Sequence, residues 1–143
     1  MRRALLAIGL LLLSGAAMAD TKADIDAANR KFVAACDAVV ANMEKFRGPS
    51  MDAGTCYEMG LAKGLGKLVI GWTADQRPWH EAVAKISPLT PDGAWFRDSQ
   101  GMLCRDFGLF DNLMMVKGAH AIHPSFEEAV AHVVRHFQQR DLT

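Results

Sequence analysis

Four of the five histidines, His120, His123, His132 and His136, lie close together near the C-terminus, and His80 stands apart. His132 and His136 are four residues apart in a stretch of helical periodicity, so their rings occupy neighbouring positions on one face. Neutral imidazole is a good ligand for zinc and copper, and Met114 and Met115 would add soft donors for copper. No carboxylate is spaced to complete a zincin pattern, and paired surface histidines are common without a role. The four histidines are therefore weak candidates for a metal site, none is favoured, and no cofactor is expected.

The cysteines are Cys36, Cys56 and Cys104. Cys104 has Arg105 beside it and Asp106 beyond, and a neighbouring cation favours the thiolate that nucleophilic chemistry needs. A buried or bridged cysteine explains the same residue with fewer demands. No C-x-x-C pair occurs, which excludes a thioredoxin-like redox motif, a zinc ribbon and covalent haem attachment. There is no G-x-S-x-G, no phosphate-binding Walker loop and no dinucleotide fingerprint. The aromatic residues Trp72, Trp79, Trp95 and Phe96 gather in the middle of the chain. Of these, Trp79, Trp95 and Phe96 are the candidate anchors for a partner protein, since exposed loop aromatics carry much interface energy.

These residues must be held by a modest framework. The chain has 143 residues, half of them hydrophobic, with 16 basic and 16 acidic side chains. That is one domain's worth of polymer, with enough apolar material for a core. Zero net charge leaves no basic excess for nucleic acid.

At the N-terminus, Arg2 and Arg3 precede a ten-residue apolar run, 4–13, followed by Ala17 and Ala19 at A-x-A spacing. This is the pattern of a cleaved secretory leader, residues 1–19, and the run is too short to span a bilayer. The domain expected after cleavage is 20–143, delivered to the periplasm, with no membrane association after cleavage. In an oxidising compartment a disulfide is the default. Cys36–Cys56 is the expected pair, Cys56–Cys104 the competing one, and the remaining thiol is spare.

Residues 21–47 carry Ile25, Ala28, Phe32, Cys36, Val39, Met43 and Phe46 at steps of three and four, which predicts one long amphipathic helix. Gly48-Pro49 ends it. A second helix is expected from Ser50 or Asp52 to about Trp72. It carries an apolar stripe (Leu61, Leu65, Leu68, Trp72) and a small-residue stripe (Ala53, Cys56, Gly60, Gly64, Gly71). Glycines on one helical face suggest that another backbone comes close, hence a tight helical hairpin stapled by Cys36–Cys56. Residues 78–86 can form a short helix. Residues 95–104 fit either a small hairpin or an interrupted helix, with helix over 102–116 slightly preferred. Ser125 and Glu128 form a capping box before a last helix with Phe126, Ala129, Val130, Val133, Val134 and Phe137 on its apolar face. The expected fold is all-α: a small disulfide-stapled bundle of about four to five helices with an irregular middle.

Cys36, the run Cys56-Tyr-Glu-Met-Gly-Leu-Ala-Lys-Gly-Leu and the late helix from Ser125 through Phe137 resemble the Rap/Tai family of type VI secretion immunity proteins. The match covers about half of residues 20–143. Residues 73–101 look like an insertion, and the family's closing Pro-Cys helix has no counterpart. The resemblance implies a non-enzymatic periplasmic protein that binds and neutralises a secreted cell-wall-degrading effector, and it assigns no residue as inhibitory. The alternative expectation is a periplasmic copper- or zinc-binding protein using the histidine cluster.

Overall fold

A computed structural model describes residues 6–8 and 22–140. Its centre is a sheet of four parallel strands in the order β1 (Leu6–Ile8), β2 (Ala38–Asn42), β3 (Leu68–Trp72) and β7 (Ala121–His123). Ala38 pairs with Leu68, Val40 with Ile70, and Ile70 with Ala121. In both β2 and β3 the first four residues are buried, as a parallel strand covered on both faces requires.

Side chains alternate between two cores. Val39, Ala41, Met43 and Val69 face one side and pack with Val33 of α1 (Lys22–Ala35), with Cys36 just beyond its end, and with Met59 and Ala62 from α2 (Ala53–Gly64). Met115 and Val116 of α4 (Leu113–Gly118) join the same layer. Ala38, Val40, Leu68 and Ile70 face the other side, where Ala129 and Val133 of α5 (Phe126–Arg140) cover them. The result is a three-layer α/β/α arrangement. Between β3 and α4 the chain makes an excursion through α3 (Trp79–Ala84) and an antiparallel sheet of β4 (Thr90–Asp92), β5 (Trp95–Arg97) and β6 (Leu103–Cys104).

This replaces the expected all-α bundle. The three-and-four spacing over 21–47 runs on by coincidence beyond Ala35, where the helix ends. All of residues 38–41 are buried, whereas a helix there would bury only one stripe. The β-branched pair Val39-Val40 also suits a strand better than a helix. The second expected helix likewise breaks in two. The Gly66 N–H donates to Lys63 O and the Lys67 N–H to Ala62 O, with Gly66 at φ 70°, a left-handed stop that ends α2 and starts β3.

The disulfide staple is corrected too. Cys36, Cys56 and Cys104 are all free thiols. Strand β2 intervenes between α1 and α2, so they are not a simple hairpin, and a Cβ at Gly60 or Gly64 would meet nothing within 4 Å. Gly60 and Gly64, two of the glycines expected to mark a close approach, therefore do not. Cys36 is buried in the core, where its Sγ donates to Val33 O at 3.2 Å, and burial pushes its thiol pKa up.

In the middle segment the hairpin alternative forms, with Phe96 opposite Cys104 and Arg97 opposite Leu103, and helix is confined to Leu113–Gly118 rather than 102–116. Gly101 at φ 79° closes that hairpin. The last helix forms at the expected capping box, where Ser125 Oγ accepts from the Glu128 N–H. Of its expected core face, Val134 is exposed.

Leu6–Ile8, read above as part of a leader, pairs with Ala38–Val40 as the outer strand. The cleavage site at Ala17–Ala19 lies outside the described residues. Among the described residues no helix is long and apolar enough to cross a membrane.

One glycine does carry a close approach. A Cβ at Gly71 would run into Met43 Sδ and meet Ile122 Cγ1 at 3.3 Å. Met43, fully buried, crosses β3 at that point. Overpacking of this kind costs about 1–3 kcal/mol. Gly71→Ala is thus expected to lower the urea midpoint with an unchanged slope, and a midpoint equal to that of the parent would contradict this packing.

Candidate active site

Open α/β sheets bind ligands beyond the carboxyl ends of their strands, where backbone polar groups run out of ladder partners. Here that edge is tied together residue by residue. The Met43 N–H donates to Trp72 O and the Thr73 N–H to His123 O, each at 2.9 Å. Glu44 Oε1 accepts from the Ala74 N–H at 2.6 Å. Asp75 is held by Arg77, whose guanidinium keeps that carboxyl well below the usual carboxylate range.

The loop from Lys45 to Met51 follows β2 and closes on itself through a bridge between those two residues. Ser50 Oγ accepts from Trp79 Nε1–H at 3.1 Å, and the Met51 N–H donates to Asp111 Oδ2 at 2.8 Å. Next comes Asp52, the cap of α2, whose carboxylate accepts from the Thr55 N–H at 2.9 Å. A Cβ at Gly54 would meet that same carboxylate oxygen at 3.0 Å, so the small residue leaves it room.

Glu58 stands in the second turn of α2, half-buried between α1 and α2. Its Oε1 accepts from Asn29 Nδ2 of α1 at 3.2 Å. Burial first, and then the negative charge of Asp52, raise the Glu58 carboxyl above its ordinary range. One carboxylate is engaged in capping the helix. The other is partly dehydrated, repelled by its neighbour and steadied by a single neutral amide. A carboxylate stripped of water is a stronger base and nucleophile than an exposed one, and carboxylates of this kind attack anomeric carbons in double-displacement glycosyl transfer.

Most of the residues singled out in the sequence lie elsewhere. Cys56 is on α2 between Asp52 and Glu58, with its thiol pKa raised by burial and then by the charge of Asp111. Trp79 braces the site loop. Trp95 meets Phe107 edge-on at 5.4 Å, and Phe96 stacks on His80 at 4.8 Å. All three expected partner anchors are half-buried against the protein itself. His120 Nδ1 accepts from the Val69 N–H. His123 Nε2 lies 2.9 Å from His132 Nδ1, on the face opposite Glu58, and burial together with His123 pushes the His132 pKa down. His136 sits edge-on to Phe137. Among the described residues no three His, Cys, Asp or Glu side chains gather as a metal ion would need.

Sequence reasoning missed Asn29, Asp52 as more than a cap, Glu58 and Asp111. The available signal was Asp52-x-Gly54-Thr55-x-x-Glu58, a capping carboxylate followed by a glycine and a second carboxylate at a helix start.

The raised carboxyl has a consequence for stability. Between the ordinary value and the raised one, the native state holds a proton that the unfolded chain has lost, so stability falls as pH rises through that window. Above the window the full penalty of the charged Glu58 is present. Glu58→Gln should therefore melt a few degrees higher than the parent at neutral pH and equally below the carboxylate range. A variant that melts lower at neutral pH would contradict the burial of a repelled charge.

The family model for nucleoside 2-deoxyribosyltransferase matches residues 12–114. A solved 2-desoxiribosyltransferase from Leishmania mexicana is similar, with a TM-score of 0.64 and 31% identity, covering 82% of this chain and 71% of that one. An uncharacterised protein from Schizosaccharomyces pombe is 28% identical over 140 residues, covering 85% of this chain. This chain spans only 66% of that relative's length.

Proposed function

This chain belongs to the nucleoside 2-deoxyribosyltransferase family, and on that premise we propose that it transfers a 2-deoxyribosyl group between nucleobases with Glu58 as the nucleophile. Members of that family are enzymes of the glycosyl-transferring kind, so the expectations of a non-enzymatic immunity protein, of a toxin partner and of a metal-handling protein are all corrected. The cysteine and glycine pattern that suggested Rap/Tai belongs instead to an α/β helix start.

The observation that carries the proposal is Glu58 itself. It is half-buried, hydrogen-bonded to Asn29, and placed on the helix that opens at the carboxyl edge of the sheet. In the reaction, a Glu58 oxygen forms a bond to the anomeric carbon as the carbon–nitrogen bond to the first base breaks. The departing base keeps the bonding pair and takes up a proton. The second base then attacks the same carbon with a ring nitrogen, gives up its proton, and Glu58 leaves as carboxylate. Two inversions give net retention. Asn29 holds the carboxylate between steps. Only the ionised Glu58 can attack, so activity should be lost as pH falls through its raised range.

Incubation with a deoxynucleoside and a different free base should yield the exchanged nucleoside, with a deoxyribosyl adduct on Glu58 visible by intact mass after quenching. Glu58→Ala should cost at least about a thousandfold in kcat, as loss of a covalent nucleophile does. Full activity in that variant would refute the assignment.

For the N-terminal segment we propose export with cleavage after Ala19, supported by the leader pattern alone. A chain so cut would lack β1 and retain β2, β3 and β7. An N-terminal mass beginning at Asp20 would support export, and one beginning at Met1 would overturn it.

A further inference from the structure

The Lys45–Met51 loop closes mainly on itself, with a tether at Ser50, whose Oγ accepts from Trp79 Nε1–H of α3. It folds back through its terminal bridge and through the Phe46 N–H donating to Ser50 O, with Arg47 in the left-handed region at φ 55°. A loop that closes largely on itself can tilt as a unit about such a tether. Two adjacent residues from far along the chain prevent this. Lys45 Nζ donates to Phe110 O at 2.9 Å, and the Met51 N–H donates to Asp111 Oδ2 at 2.8 Å.

Asp111 is only 3% exposed. Its second oxygen accepts from the Asn112 N–H at 2.7 Å, which ties it to the start of α4, where Asn112 caps the helix. Burying a carboxylate is costly, and the two backbone amides that donate to Asp111 offset that cost only while Met51 and Asn112 stay in place. The residue it grips, Met51, directly precedes Asp52.

We propose that Asp111 is a positioning residue of the transfer site: by holding the Met51 amide it sets where Asp52 and the first turn of α2 stand relative to Glu58. This rests on the transferase reading given above. The hydrogen bonds of Asp111 go to Met51 and Asn112, not to Glu58. It acts through the loop, by keeping the Asp52 charge close to Glu58 and the nucleophile in register with its substrate.

The test compares the parent with Asp111→Ala and Asp111→Asn in the base-exchange assay across pH, alongside NMR titration of the Glu58 side-chain carboxyl. Alanine should lower kcat by about 10- to 100-fold, the effect of a small misplacement, with KM changed far less. Its acid limb and the Glu58 titration should both move down toward ordinary glutamate as Asp52 recedes. Asparagine keeps an acceptor for Met51 and should recover most of the kcat and the raised titration. A folded alanine variant with parental kcat and acid limb overturns the proposal, as does an asparagine variant no better than alanine. If alanine does not fold, Asp111→Glu keeps the charge while displacing the acceptor. The same losses are then expected, and parental behaviour overturns the proposal. A parent that exchanges no bases tells against the transferase reading instead. The Glu58 titration still decides the role of Asp111 in that case, because it needs no turnover.

Discussion

Two strands that are apolar on both faces, β2 and β3, must be kept dry from both sides. Side chains alternate along them, so each strand feeds two cores: Val39 and Val69 face the α1–α2 layer, Val40 and Ile70 face α5. Parallel pairing in register allows each core to be continuous across strands, and it also brings the strands' carboxyl ends to one edge. There the ladder stops and side chains take over. Thr73, buried, lends its Oγ1 to the Asp75 N–H, and Glu44 lends a carboxylate oxygen to Ala74. The polar edge is a consequence of the apolar centre, and the candidate active site is built along it.

The carboxylates of that edge differ in how fully they are engaged. Asp75 has a guanidinium, Asp111 has two backbone amides, and Asp52 has the first turn of a helix. Glu58 has one neutral amide and a like charge nearby. Among these groups the least satisfied is the one best suited to form a bond to carbon, because the cost of leaving it dehydrated is recovered when it attacks.

Some of this could be read from the chain alone. The last helix announced itself through Ser125, Glu128 and an apolar face that only Val134 disobeys. The short helix after Pro78 and the hairpin around Gly101 had local signals as well. The strands did not stand out, because Cys36, Val39 and Met43 continue the helical spacing of Ile25, Ala28 and Phe32, and a run of five residues is too short for its own period to win. The site was less legible still. Asn29 meets Glu58 across 29 residues of sequence, and Asp111 meets Met51 across 60. Each is unremarkable in its own segment, and only the crossover through β2 and the return from the excursion bring the partners together.

The contact between Asn29 and Glu58 places part of the active site on a lightly secured helix. Among the side chains described in α1 only Val33 is buried, while Ile25 and Phe32 stand out in solvent. Such a helix can open locally at a free-energy cost well below that of global unfolding. Inactivation on warming should accordingly run ahead of the loss of the sheet. Amide exchange would be fast in α1 and slow in β2 and β3, so catalysis would fail while most of the molecule is still native.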